Sequence, residues 1–290
     1  MKVITIATDL DHPFLRRMLI PSCATVGLDL VILHPSKPGF RLCDKRMILT
    51  EYLARPAVRD DLVLFTDAYD TLFLRGEPYI REAYAAFPHS VVFSGELNSW
   101  PLGAIGFLLQ QSPPTRPYPY LNSGGFIGPP SELLALCAKY PTPPSDQFPL
   151  LAQLRQHDYE PDELFGPSDQ YYWTLVRLLE AETIGVDYCA TLFEYLGPQY
   201  VDVWNPQKVL RMADFRDRGR DSPSYGQERA RLLQRLHSPS TAAQVHFASP
   251  ITKEVALDLL DEGMLPAWLG KFGERAGVGD AHSHVERIDF

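Results

Sequence analysis

The stretch LVLFTDAYD, residues 62–70, is a nearly continuous apolar run that ends in two carboxylates, Asp67 and Asp70. A run of this kind predicts a buried central strand. Ligands of open α/β sheets bind at the carboxyl ends of strands, and carboxylate oxygens suit Mg²⁺ or Mn²⁺. Aspartates are also common in turns and at helix N-caps. Spacing alone therefore leaves a metal site and a strand-terminating turn as equal alternatives.

The segments around this strand alternate between strand and helix patterns. Since parallel neighbours need a crossover, which is usually a helix, this alternation predicts an α/β fold with a mostly parallel sheet. Strands are predicted at residues 3–7, 28–33, 61–65 and 90–93, and helices around 14–19 and at 45–53, 79–87, 133–140 and 168–181.

The length and net charge of the chain indicate how large a core it can form and which nonspecific partners its charge disfavours. Its 290 residues, 45% of them hydrophobic, can bury a sizeable core in one α/β domain or two packed lobes. The formal net charge of −9 opposes nonspecific binding to polyanions. A local exception is the arginine-rich stretch between Lys208 and Arg235, for which a solvated loop and helix face is the preferred interpretation.

The spacing of the cysteines argues against a zinc site, and the length of the apolar runs argues against a membrane span. The four cysteines are widely scattered without zinc-ligand spacing, which favours reduced thiols. No apolar run approaches the length of a membrane span, and the apolar residues after Met1 are too few for a signal peptide. These features predict a cytoplasmic protein with no membrane contact.

A second informative segment is YLNSGGFIG, residues 120–128. Its glycines, Gly124 and Gly125, would let the backbone approach a ligand closely. The side chains of Asn122 and Ser123 can donate hydrogen bonds. This segment raises the metal and ligand interpretation of the acidic pair above the turn interpretation.

Together these segments resemble the glycosyltransferase domain at the N-terminus of lysyl hydroxylases, the procollagen-lysine enzymes. The agreement runs in order through most of the chain. The matching blocks are IAT at 6–8, DKR at 44–46, FTDAYD at 65–70, VFS at 92–94, WP at 100–101, LNSGGFIG at 121–128 and DQ at 169–170.

The resemblance implies a GT-A, Rossmann-like fold and the use of a UDP-sugar donor with Mn²⁺ or Mg²⁺. One domain is expected over residues 1–275, with a nucleotide-sugar half at about 1–110 and an acceptor half at about 111–275. Residues 276–290, which include His282 and His284, are expected to be a polar tail.

The resemblance also assigns roles to individual residues. Asp67 and Asp70 hold the metal, and His246 completes its coordination, although the family's Gly and Asn after this histidine are Phe247 and Ala248 here. Lys253 is a candidate to take over part of their role. The remaining donor residues are expected to be Thr8, Lys45, Tyr69, Ser123, Gly124 and Gly125, and those beside the reacting sugar Trp100, Asn122 and Asp169.

The acceptor is a free hydroxyl group whose identity stays open. The family transfers glucose with retention, and no dedicated base is assigned. Hydroxylysine in a polypeptide, or a glycan on it, agrees with the acidity of the chain, whereas the arginine-rich stretch favours a hydroxymethylated base in DNA. A noncatalytic module that binds sugar nucleotides and a metal-dependent hydrolase are the rival functions.

Overall fold

The computed structural model describes residues 1–36, 39–110, 116–200, 206–270 and 283–288. They form an α/β fold in which helices pack on a seven-stranded sheet of order β10-β2-β1-β3-β6-β5-β7, beside a small sheet of order β4-β9-β8. The strands are β1 (Lys2–Ile6), β2 (Leu30–Pro35), β3 (Val63–Asp67), β4 (Thr71–Phe73), β5 (Val91–Glu96), β6 (Tyr120–Gly128), β7 (Ile184–Asp187), β8 (Phe193–Tyr195), β9 (Gln244–His246) and β10 (Ser283–Ile288).

The helices cover both faces of the large sheet. They are α1 (Ile20–Val26), α2 (Lys45–Leu53), α3 (Glu77–Ala85), α4 (Ala104–Gln110), α5 (Pro130–Lys139), α6 (Pro149–Arg155), α7 (Pro161–Phe165), α8 (Asp169–Leu179), α9 (Pro206–Arg218), α10 (Pro223–Leu236), α11 (Pro250–Asp261) and α12 (Ala267–Gly270). A π-helix at Leu15–Leu19 precedes α1. Helix α2 begins and ends at the predicted residues.

The large sheet is mostly parallel, as predicted, because only β6 runs against the other strands. Successive side chains of a strand point to opposite faces. Ile4 and Phe65 therefore join the apolar core on one face, whereas Val3 and Leu64 join the core on the other. Burial on both faces explains why β1 and β3 read as apolar runs.

The reversed strand β6 carries the Gly-rich segment to the carboxyl end of β3. Thr66 of β3 pairs with Gly125, so Gly124 lies beside Asp67 at the end of the ladder. On the other side of β6, Asn122 pairs with Ser94 of β5 after a bulge. One strand thus connects the ends of β3 and β5.

The small sheet brings a distant segment to the same place. Thr71 of β4 pairs with His246 of β9 in an antiparallel ladder. The backbone N–H of Phe247 donates to the carbonyl of Asp70 over 2.7 Å. The Thr71 hydroxyl donates to the carbonyl of Asp67 over 2.6 Å. His246 is therefore fixed next to the acidic pair, although about 180 residues separate them in sequence.

The expectation of a polar tail at 276–290 is wrong for residues 283–288. Ser283–Ile288 forms β10, which pairs in parallel with β2 at the sheet edge. Ile288 is fully buried, and Glu286 forms an ion pair with Arg55 at 3.0 Å. An edge strand exposes most of its side chains, so its polar sequence resembles that of a tail. His284 lies in this strand, while His282 lies outside the described residues.

Candidate active site

Three side chains that could bind a metal meet at the carboxyl end of β3. Asp67, Asp70 and His246 each offer a ligand atom, and these atoms lie within 4.8 Å of one another. Nε2 of His246 lies 3.4 Å from Oδ1 of Asp70. Two carboxylates and one imidazole suit a divalent cation that also binds phosphate oxygens. The predicted ligand set is therefore assembled by β3, the turn that follows it and β9.

Two further observations fit a cation at this cluster. Oδ1 of Asp70 is buried without a hydrogen-bond partner among the described residues, and such a group is costly unless a ligand satisfies it. A Cβ added at Gly124 would contact the ring of His246 and lie 2.8 Å from Oδ2 of Asp67. Only glycine leaves the space beside these two groups free.

Asp70 and His246 each change the ionisation of the other. Burial opposes ionisation of Asp70, but His246 and Lys253 outweigh it and lower the pKa of this carboxyl group below its ordinary value. Burial also opposes protonation of His246, yet the neighbouring Asp70 outweighs it and raises the pKa of the imidazole. A cation would compete with the proton on His246, because the negative charge of Asp67 and Asp70 attracts both.

Lys45, the first residue of α2, lies between two carboxylates. Its Nζ donates to Oδ1 of Asp67 over 2.5 Å and lies 3.7 Å from Oδ1 of Asp169. Burial alone would lower the pKa of Lys45, but Asp169 and Asp67 raise it well above its ordinary value. Burial, reinforced by Asp67, raises the pKa of Asp169 to about 6. Lys45 therefore remains charged at neutral pH.

A polar network supports the opposite wall of the site. Oε1 of the buried Glu96, at the end of β5, accepts hydrogen bonds from Nδ2 of Asn122 over 3.3 Å and from Nε2 of Gln170 over 2.5 Å. Gln170 also donates to the carbonyl of Trp100 over 2.7 Å, and the N–H of Gly124 donates to Asn122 over 2.8 Å. This network fixes the orientation of the Gly-rich strand and of Trp100.

A cavity of about 260 Å³ opens next to the cluster. Lys253, from the first turn of α11, lies in its lining, and among the described residues its ammonium group has no ion-pair partner. Most predicted site residues line this cavity: Lys45, Asp67, Tyr69, Asp70, Trp100, Asn122, Ser123, Gly124, Asp169 and Lys253.

The predicted nucleotide contacts at the end of β1 lie close to the cavity. The Tyr69 hydroxyl accepts a hydrogen bond from the N–H of Asp9 over 2.7 Å and lies 3.2 Å from Oγ1 of Thr8. The ring of Tyr69 stacks on His12, with 4.3 Å between the centroids. Thr8 itself is exposed beside this tyrosine. These residues form a small aromatic platform of the kind that a flat base could extend.

Gly125 does not face the cavity, in contrast to the prediction. A Cβ added there would lie 2.7 Å from Oε1 of Gln244 and 3.0 Å from the ring of Phe193. Side chains alternate along a strand, so Gly124 and Gly125 point to opposite faces. The second glycine therefore makes room for packing.

Sequence reasoning gave no role to Glu96, Gln170 or His12. Glu96 is the last residue of β5, as Asp67 is the last residue of β3. This position at a carboxyl end could have identified Glu96 as a site residue. Gln170 follows Asp169 in a matched block and could also have been found. His12 has no comparable signal, because its contact with Tyr69 depends on the fold of the loop after β1.

Among the described residues, no helix combines the length and the apolar character that crossing a bilayer requires.

Comparison with known proteins identifies the family. The chain resembles mouse xyloside xylosyltransferase 1 in structure, with 13% identity, a TM-score of 0.43 and coverage of 84% of this chain and 96% of that one. No curated protein sequence matches it. The family model described as the PLOD GT domain matches residues 1–148, which include β1 to β6 and the acidic pair. The chain therefore belongs to the family of PLOD glycosyltransferase domains and is a glycosyltransferase.

Proposed function

We propose that this glycosyltransferase transfers a hexose, most simply glucose, from a UDP-sugar to a hydroxyl group with the help of Mn²⁺ or Mg²⁺. The observation that carries the proposal is the Asp67, Asp70 and His246 cluster at the mouth of a cavity lined by two lysines. A nucleotide diphosphate is the ligand class that needs both a divalent cation and nearby ammonium groups.

Different residues of the chain would contact different parts of the donor. Lys253, which has no counterion among the described residues, would bind the oxygens of the diphosphate. Lys45 would hold Asp67 in place, since Asp67 accepts its hydrogen bond. Tyr69 and Thr8 would contact the uridine. The bound cation would supply positive charge against the leaving diphosphate.

The sugar would lie between Trp100 and the Gly-rich strand. The indole can stack on the apolar face of a pyranose. Backbone groups of Ser123 and Gly124 would contact the donor. The amide of Asn122 already binds Glu96 and the N–H of Gly124, so one of its N–H bonds remains for a sugar hydroxyl. Asp169 would accept a hydrogen bond from the sugar or the acceptor.

The acceptor is proposed to be hydroxylysine in a polypeptide, or a glycan on it. A DNA base was the alternative suggested by the arginine-rich stretch, but its arginines are engaged by acids. These ion pairs are Arg211 with Glu228, Arg216 with Asp217, Arg218 with Asp214, Arg220 with Glu254, Arg229 with Glu262, Arg231 with Glu228 and Arg235 with Glu194. Paired arginines offer little attraction to phosphates.

A panel of UDP-sugars with Mn²⁺ tests the proposal, with UDP release and the mass of the acceptor as readouts. We expect Asp70→Ala to abolish UDP release while the chain remains folded by circular dichroism. The matched control is Asp146→Ala, because that carboxylate is 90% exposed. Unchanged turnover in Asp70→Ala would refute the metal role.

The same panel separates the rival functions. A noncatalytic module would bind UDP-sugars without releasing UDP. A metal-dependent hydrolase would release free sugar at enzyme-like rates and would add no mass to any acceptor. Slow acceptor-free release together with faster transfer would support a transferase.

A further inference from the structure

A second cavity of about 550 Å³ lies next to the first. Trp100 lines both cavities. Pro250, which opens helix α11, lines the second, and Lys253 of the same helix lines the first. A molecule in the second cavity would therefore lie directly beside the donor cavity, where an acceptor must lie.

The floor of this second cavity is an uncovered face of α9, and we call the cavity the α9 groove. Among the described residues, this helix has no buried side chain. Val209 is 63% exposed. Met212 and Phe215, one and two turns further along, touch the core with part of their surface and line the groove with the rest. The face is therefore apolar, although none of the residues that the structure describes covers it.

Lys208 lines the groove next to Trp100, the residue that the two cavities share. Its Nζ lies 3.3 Å from the centroid of the Trp100 ring. Burial lowers the pKa of this ammonium group to about 8, against the opposing effect of Glu96. This contact attaches the start of α9 to that shared residue.

The composition of the groove identifies its occupant. Its polar side chains among the described residues are Lys208 and Arg216, and Arg216 pairs with Asp217 at 3.4 Å. A nucleic acid would need several unpaired cations, whereas Lys208 already lies over the Trp100 ring. A saccharide would need hydrogen-bond partners for its hydroxyls. Apolar side chains of a polypeptide need neither.

We propose that the α9 groove binds the acceptor, and that the acceptor is a polypeptide with bulky apolar side chains next to the hydroxyl group that receives the sugar. This inference rests on the proposed transferase function. It adds a specificity that the metal cluster does not determine, and it places that specificity in the part of the chain beyond residues 1–148, which the family model does not match.

Two synthetic peptides test the proposal in the presence of Mn²⁺ and UDP-glucose. One has leucine and phenylalanine beside a central hydroxylysine, and the other has glycine and serine there; each is also made with serine as the central residue. We expect the apolar peptide to stimulate UDP release with a KM at least about tenfold lower, the effect of burying one large side chain.

Two substitutions on one helix locate the binding surface. Val209→Asp should raise the KM for the apolar peptide about tenfold. Leu210→Asp is the matched control, because Leu210 is 69% exposed and lies outside the groove lining. A peptide with arginine beside the acceptor should recover activity with Val209→Asp only. Acceptor-free UDP release should be the same in both variants and the parent.

The outcomes distinguish this inference from the proposed function. Absence of UDP release with every UDP-sugar would overturn the proposed function. Normal acceptor-free release with equal KM values for the two peptides, or equal effects of the two substitutions, would overturn the groove assignment alone. Transfer to a hydroxymethylcytosine oligonucleotide but to neither peptide would also overturn it.

Discussion

The donor cavity and the α9–α10 helix pair both contain several charged side chains, but the two regions differ in how completely these side chains are paired. In the cavity, Asp67, Asp70 and Asp169 lie around Lys45, and Oδ1 of Asp70 has no hydrogen-bond partner among the described residues. In the helix pair, each arginine of the stretch lies beside an acid. A buried carboxylate oxygen without a hydrogen bond costs stability, so Oδ1 of Asp70 indicates a ligand that completes its contacts.

Glu228 of α10 illustrates the compensated case. Its side chain is fully buried and accepts hydrogen bonds from Nε of Arg231 over 2.9 Å and from the Thr252 hydroxyl over 2.5 Å, with Arg211 at 3.6 Å. These partners connect α9, α10 and α11. Here the ion pairs hold the three helices together, and no charge of Glu228 remains free to bind a ligand.

The largest expected effect comes from breaking this compensated cluster. Glu228→Leu leaves Arg231 and Arg211 without their shared acid, and we expect it to lower the free energy of unfolding by about 3 kcal/mol. Urea unfolding measures the loss. The donor KM at low temperature should not change, because no partner of Glu228 lines the donor cavity. A loss below about 1 kcal/mol would contradict the structural role of the cluster.

Two glycine substitutions sharpen the comparison. Gly124→Ala places a methyl group against His246 and Asp67, so we expect UDP release to fall about 100-fold and stability to fall by about 2 kcal/mol. Gly226→Ala, in α10, meets no atom within 4 Å and should stabilise the chain by about 1 kcal/mol without changing turnover. Steady-state kinetics and thermal unfolding measure both. Equal effects of the two substitutions would show that Gly124 has no special place at the site.

The acidic pair and the sheet could be predicted from sequence because their signals are local. The apolar run of β3 and the aspartates that follow it lie within one short segment. The family resemblance then added His246, which β9 indeed places beside Asp70. Helix α2 was predicted at its observed residues because its apolar positions repeat at helical spacing.

Features that depend on partners distant in sequence could not be predicted. Glu96 receives its hydrogen bonds from Asn122 and Gln170, which lie 26 and 74 residues away. The arginine-rich stretch suggested a basic surface because two acids that pair with its arginines lie beyond it: Glu254 of α11 pairs with Arg220, and Glu262, the residue after α11, pairs with Arg229. Strand β10 was missed since an edge strand has no continuous apolar pattern.

The pairing of His246 with Asp70 predicts a pH dependence of metal binding. The pKa of His246 is raised by Asp70, so the imidazole of the metal-free protein stays protonated to a higher pH than usual and must lose this proton to bind a cation. We therefore expect Mn²⁺ affinity to rise with pH, by up to about tenfold per unit, until the pH passes the raised pKa of this imidazole. Calorimetry in two buffers of different ionisation enthalpy measures the released proton. An affinity that does not vary with pH, or that does so equally in His246→Asn, would exclude His246 as a ligand.

The smallest effect compares two serines that cap neighbouring helices. Ser249 precedes α11 beside the cavity with φ 142°, a conformation that favours glycine, and its hydroxyl accepts from the N–H of Ile251 over 3.2 Å. Ser222 caps α10 with an ordinary φ of −72°. Replacing a serine cap with glycine costs only a few tenths of a kcal/mol, whereas relief of a strained φ gains about 1 kcal/mol or more.

Ser249→Gly should therefore stabilise the chain by about 1 kcal/mol, and Ser222→Gly should destabilise it slightly. Thermal unfolding of the two variants gives the sign of each change. Destabilisation by both would mean that the Ser249 backbone is not strained. Opposite signs would show that the backbone of Ser249, in the loop after His246, is strained, whereas the backbone at the cap of α10 is not.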